Sequence, residues 1–207
     1  MEILLKRAAA HLRRADPVMD RIIGDVGPCR LEVDRRTPVF AALVESILYQ
    51  QITGKAAATI HERLLNLAGT RRLGPDGILA LSAESLRGAG LSRQKIVYLT
   101  DLARRTKDGL ALGRVGRLSD DRVIETLTAV KGIGRWTAHM FLIFRLGRLD
   151  VLPVDDYGVQ KAMKQAYRFR SLPDPKRMAR VAEPWRPYRS VACWYLWRSL
   201  AVAAGRG

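Results

Sequence analysis

Apolar positions recur at helical spacing over almost the whole chain, and capping residues mark where each run begins. Asp16-Pro17 and Thr37-Pro38 each place a capping residue before a proline suited to a first helical turn. VMDRII follows the first. VFAALVESILYQQ follows the second, apolar enough to be largely buried. Gly54 to Leu67 is Ala-rich and helical. Ser82 caps a short helix, Ser92 caps RQKIVYLTDLARR, and Ser119 or Asp120 opens DRVIETLTAV. A Gly-x-Gly pair then interrupts the chain before RWTAHMFLIFRLG. Further helices are expected from Asp156 to Tyr167, Pro175 to Glu183 and Arg189 to Ala204. No stretch alternates in the period of a strand beyond a turn of extended chain near Cys29–Val33, so the pattern predicts an all-α fold.

No low-complexity linker divides the chain, which reads as one domain over 1–207. The loop GLALGRVGRLS, Gly109 to Ser119, is the natural crossing between two helical lobes, one from about 1–36 with 119–207 and the other from 37–118. GAGLSRQKIVYL faintly echoes GIGRWTAHMFL, but two short words are no evidence of duplication.

Charge narrows the function. With 36 Lys+Arg against 20 Asp+Glu the net charge is +16 and the pI about 10.7, which suits a polyanion partner and above all nucleic acid. A basic surface that merely aids solubility is the alternative. Cys29 and Cys193 are too few for an iron–sulfur cluster or a cysteine-built metal site, and both read as free thiols. His11, His61 and His139 lack metal-ligand spacing. The start, MEILLKRAAAHLRRADP, does not read as a secretory signal, and no apolar run approaches a membrane span, so the expected location is cytoplasmic, at the nucleoid.

KGIGRWTAHM, Lys131 to Met140, places its glycines between two helices. Such a hairpin can bring the backbone N–H groups around Gly132 and Gly134 against a phosphate without reading a base. A Cβ at either glycine is expected to point toward the DNA. The carbonyls of Thr128, Val130 and Ile133 are left to bind a monovalent cation, Na+ or K+.

With YQQITGKAA, GLSRQK and LPVDDYGVQKA in the same order, this hairpin resembles the helix-hairpin-helix DNA glycosylases of the endonuclease III superfamily, closest to the alkylbase branch, the 3-methyladenine DNA glycosylases II. The resemblance covers nearly the whole chain. It implies two helical lobes with a DNA-binding cleft between them, in the compact form without the additional N-terminal domain of some relatives. It implies double-stranded DNA with damaged bases as partner, a monomer, no membrane and no required cofactor. In the family the helix after Leu152-Pro153 presents an aspartate to the sugar of a base rotated out of the duplex. Asp156 matches best because Tyr157-Gly158-Val159 continues the pattern, with Asp155 as the helix cap. Counting from Pro153 alone would select Asp155.

At Trp136 the bifunctional relatives carry a lysine that forms a Schiff base. An indole cannot do so, which leaves water as the nucleophile. Trp136 reads equally as a wall of the base pocket and as the first member of a core stripe with Met140 and Phe144. The resemblance places Trp197 in the pocket, with Trp194 and Tyr195 as weaker candidates. It sets Met140 where some relatives have an aromatic, which leaves the base preference open. Gln51 or Ile52 would fill the gap left by the flipped base. Lys131 and Arg135, with Lys55, Arg93 and Lys95, flank these turns and could reach phosphates.

The chemistry needs few groups: breaking an N-glycosidic bond builds positive charge on the sugar, which a nearby carboxylate stabilises. The implied function is a monofunctional DNA glycosylase removing alkylated purines such as 3-methyladenine and 7-methylguanine. The alternatives are a glycosylase for hypoxanthine or another deaminated or oxidised base, and a hairpin protein that binds DNA without chemistry.

Overall fold

A computed structural model describes residues 2–110 and 112–205. In chain order the helices are α1 (Glu2–Ala15), α2 (Pro17–Val26), α3 (Val39–Leu48), α4 (Gly54–Leu67), α5 (Pro75–Leu79) and α6 (Ala83–Gly88). They continue with α7 (Arg93–Lys107), α8 (Asp120–Thr128), α9 (Arg135–Phe144), α10 (Tyr157–Ala166), α11 (Pro175–Ala182) and α12 (Arg189–Gly205). Short 3-10 turns lie at Leu112–Arg117 and Glu183–Trp185. Among the described residues there is no strand, and Cys29–Val33 has no regular secondary structure. No helix among them is long and apolar enough to cross a membrane.

The chain divides into two compact units, Met1–Asp34 with His139–Gly207, and Arg35–Ala138. In the first, α1 packs on α2, and α2 and α10 pack on α12. Leu12, Met19, Met163, Trp185 and Tyr195 form the buried interior. The carboxylate of Asp16 organises this core. Its Oδ1 caps α2 by accepting the N–H groups of Val18 at 2.8 Å and Met19 at 3.4 Å. Its Oδ2 accepts the Tyr167 hydroxyl and, at 2.9 Å, the Trp185 indole N–H. Burial and this carboxylate together push the Tyr167 hydroxyl far above its ordinary pKa.

In the second unit α3 and α5 pack on α7, and α4 packs on α3. Serine caps hold three starts, Ser82 at Ser85 N, Ser92 at Lys95 N and Ser119 at Arg122 N. The Thr37-Pro38 expectation is corrected. The helix opens at Val39, and Pro38, with ψ 146, stands in the cap position without a side-chain bond, because a proline ring offers no acceptor. The loop 109–119 stays inside this unit, where Leu112 and Val115 of the 3-10 turn are buried.

The turn between α8 and α9 belongs to this unit as well, held by α7. Asp101 Oδ2 accepts the Lys131 backbone N–H and Arg105 Nε, both at 2.9 Å. Burial pushes the Asp101 pKa up. The Lys131 N–H, the Arg105 hydrogen bond and the charges of both residues outweigh it, so the carboxyl rests below its ordinary value. A depressed carboxyl stabilises the fold above its unfolded pKa of about 4, and that contribution is lost as pH falls through the lower folded value. Urea midpoints of wild type and Asp101→Asn should therefore differ by a constant margin from about pH 7 to pH 5 and converge below about pH 4. A margin that persists unchanged into acid would contradict this role.

Candidate active site

The α8–α9 turn exposes a short run of backbone. Lys131, Gly134, Arg135 and Trp136 are exposed, whereas Val130 and Ile133 point inward and are buried. The first N–H groups of a helix have no partner within it, so the start of α9 is electropositive independently of its side chains.

The two glycines do different jobs. Gly132 has φ +83, and a Cβ on it would lie 2.1 Å from the Tyr98 ring on α7. The expectation that its missing side chain faces DNA is corrected, because Tyr98 already fills that side. A Cβ on Gly134 would have nothing within 4 Å and would stand in open space. Of the two glycines, Gly134 is the one that leaves bare backbone open. The Val130 carbonyl accepts the Ile133 N–H at 3.1 Å, which leaves its second lone pair available to a cation.

The turn after α3 is tied to this hairpin. Gln50 Nε2 donates to the Gly132 carbonyl at 2.9 Å, and Lys95 Nζ donates to the Leu48 carbonyl. Burial lowers the Lys95 pKa, and its ammonium braces the α3 terminus, a different task from the phosphate contact expected of it. Between these anchors Gln51 sits at φ +57, a left-handed conformation unusual outside glycine, with its side chain exposed. Ile52 beside it is 38% exposed. Thr53 then caps α4 through Ala56 N. The exposed pair, Gln51 and Ile52, is thus presented by a braced turn. Lys55 and Arg93 are exposed at the first turns of α4 and α7.

In the other unit the chain descends from Arg148 to Asp156 along the N-terminal end of α12, which clamps it. Ser190, fully buried, donates its hydroxyl to Arg148 O at 2.7 Å and accepts Val151 N–H at 2.9 Å. Its own N–H reaches Leu149 O at 2.8 Å. Arg189 grips both the carboxylate and the carbonyl of Asp150, and Arg186 adds a further contact to the same carboxylate at 2.7 Å.

Asp156, at the end of this strap, is 7% exposed. Its Oδ1 accepts two donors, Val159 N–H at 2.7 Å and Trp197 Nε1–H at 2.8 Å. Asp156 is therefore itself the N-cap of α10, and Asp155, expected to be the cap, is exposed. The third residue before Val159 fits the geometry of a cap, and the chain turns one residue too early at Asp155 to supply it. Trp197 is half-buried, with Phe144 tilted against it at 5.8 Å between ring centroids. Met140 is half-buried. Trp136, 47% exposed, is not core. Trp185, Trp194 and Tyr195 are core. Cys193, one turn before Trp197 on α12, is buried; burial, then the charge of Asp156, pushes its thiol far up and leaves it unreactive. Both cysteines are free thiols, Cys29 being half-buried.

The family model of the HhH-GPD superfamily of base excision DNA repair proteins matches residues 44–187. The chain belongs to this superfamily. It is 33% identical over 204 residues to DNA-3-methyladenine glycosylase 1 of Schizosaccharomyces pombe, covering 96% of this chain and 89% of the relative. A DNA-3-methyladenine glycosidase from Bacillus halodurans superposes with a TM-score of 0.85 at 36% identity, covering 96% of this chain and 91% of that one. The Schizosaccharomyces pombe 3-methyladenine DNA glycosylase in complex with abasic DNA gives a TM-score of 0.77 at 33% identity, covering 92% and 95%.

Several supports within this HhH-GPD chain escaped sequence reasoning: Tyr98 and Asp101 behind the hairpin, and Asp150, Arg189 and Ser190 behind Asp156. None carries a local pattern, since each acts on a partner distant in the chain. The separate roles of the glycines are testable. Gly132→Ala should lower the melting temperature, because the Tyr98 ring must move and the backbone is strained. Gly134→Ala should leave melting unchanged yet weaken binding to duplexes of any sequence. Equal melting for both variants would refute the distinction.

Proposed function

We propose that this chain is a monofunctional DNA glycosylase that hydrolyses the N-glycosidic bond of alkylated purines in double-stranded DNA, 3-methyladenine and 7-methylguanine among them, and so initiates base excision repair. The observation that carries this reading is the buried Asp156 carboxylate, oriented by Trp197 and Val159 at the mouth of α10, in a chain whose relatives are named 3-methyladenine DNA glycosylases.

In the proposed reaction the damaged nucleotide leaves the stack, at a cost of a few kcal/mol that is lower for a damaged pair. Gln51 and Ile52 fill the space it vacates. The bare backbone at Gly134 and the start of α9, with Lys131 and Arg135, hold a phosphate near the lesion. The carboxylate of Asp156 stabilises the positive charge that develops on the sugar as the base departs, and water completes the hydrolysis. An alkylated purine already carries positive charge, so it leaves without a strong acid. Met140 and Trp197 line the base pocket, where an indole face favours a cationic ring. Trp136 carries no amine, so no imine forms and the strand is not nicked. The carbonyls of Thr128, Val130 and Ile133, neutral oxygen donors, suit a monovalent cation that would stiffen the hairpin. The enzyme works as a monomer at the nucleoid.

Purified protein should release free base from methylated duplex DNA and leave the strand intact until alkali is added. Asp156→Asn, which preserves the α10 cap, should lower single-turnover release by about a hundredfold to a thousandfold. Asp155→Asn should remain near wild type. A protein–DNA adduct trapped by borohydride would sink the monofunctional assignment. An inactive Asp155→Asn beside an active Asp156→Asn would move the carboxylate by one residue, and two folded, fully active variants would refute the catalytic reading.

A further inference from the structure

Glycine at position 158 has no conformational reason to be there. It is the second residue of α10, its φ lies outside the left-handed region that favours glycine, and alanine is the better helix former. What remains is space. A Cβ at this position would lie 3.0 Å from Trp197 Cδ1, 3.2 Å from Trp197 Nε1 and 3.1 Å from Asp156 Oδ1. These are the edge of the indole that donates to Asp156 and the very oxygen that accepts it. The indole edge thus occupies the volume a side chain at 158 would take.

We propose that Gly158 is a positioning residue for Asp156: its missing side chain opens a slot for the Trp197 indole, whose Nε1–H then fixes the direction of the carboxylate. Trp197 accordingly acts through Asp156 in addition to any contact with the base. Val159 N–H holds the carboxylate from within its own helix, and the second donor, carried by α12, pins the same oxygen from a different direction. α12 is itself fastened to the strap leading into Asp156 through Ser190 and Arg189. Adding a methyl group at 158 forces the indole back by a few tenths of an ångström and lengthens the bond that sets the carboxylate. This inference rests on the reading of Asp156 as the group that faces the sugar.

The test compares wild type, Gly158→Ala, Trp197→Phe, their double variant and Asp156→Asn. It measures single-turnover base release, affinity for a duplex holding a tetrahydrofuran abasic analogue, and melting temperature. Gly158→Ala and Trp197→Phe should each slow release by about tenfold to a hundredfold, since small misplacements near the reacting centre have effects of that order. Affinity for the analogue should stay within about twofold, a split between chemistry and binding that a packing defect would not produce. Gly158→Ala should stay folded and melt within a few degrees of wild type, because alanine's better helix propensity offsets part of the weakened contact. The double variant should be no slower than the slower single one, because both changes break the same bond.

A wild-type rate for Gly158→Ala beside an inactive Asp156→Asn overturns the inference and leaves the proposed function standing. An active Asp156→Asn overturns both. Multiplying effects in the double variant would give the two residues independent roles, contrary to the proposal. A Gly158→Ala protein that is unfolded at the assay temperature would make the glycine a packing requirement and also overturn it.

Discussion

A carboxylate withdrawn from water must be met by donors, and at Asp156 two of them converge on one oxygen. Hydrogen bonds to a charged group contribute about 1.5–3 kcal/mol each, enough to hold such a group where solvent no longer does. One donor, Val159 N–H, comes from the helix that Asp156 begins; the other, Trp197 Nε1–H, comes from α12. The surrounding structure serves this convergence. Ser190 and Arg189 fasten the strap from Arg148 to Val151 onto the same helix that carries the indole. Asp16 offers an instructive parallel in the same unit. It too is buried, caps a helix and accepts an indole N–H, and with four donors on its two oxygens it serves the core.

The other unit relies on backbone in place of carboxylate. Phosphate contacts fix register on a duplex and carry no base information, which suits a repair protein whose target can occur in any sequence. In the proposed reading Gly134 and the start of α9 supply that surface, and the inward supports keep it in shape: Tyr98 behind Gly132, Asp101 on the Lys131 N–H, and Gln50 on the Gly132 carbonyl. In the same reading the +16 charge draws the molecule to DNA, and the backbone at Gly134, with Lys131 and Arg135, sets how the hairpin meets it.

Most of the helices were legible because their starts are written locally. The Asp16, Ser82, Ser92 and Ser119 caps each act over two or three residues, and α4 falls where its Ala-rich run predicts. The same local reasoning misplaced the start of α3, because proline offers no side-chain acceptor. It misassigned the cap between Asp155 and Asp156, since two adjacent acids are equivalent on paper and only the turn of the chain tells them apart. The direction of Gly132 was illegible, as it depends on a tyrosine from another helix. Most supporting residues around the hairpin and Asp156 were invisible for the same reason: a lone Tyr, Asp or Ser carries no signal until folding brings its distant partner alongside.

The central claim is electrostatic: the negative charge of Asp156 meets positive charge on the sugar. Two abasic duplexes isolate it, one holding a protonated pyrrolidine and the other a neutral tetrahydrofuran of nearly the same shape. The ratio of their dissociation constants, measured in wild type and in Asp156→Asn, reads that one interaction. Wild type should prefer the cationic duplex by about tenfold or more, and the substitution should erase most of that preference while leaving affinity for the neutral duplex unchanged. An equal ratio in both proteins would contradict the account.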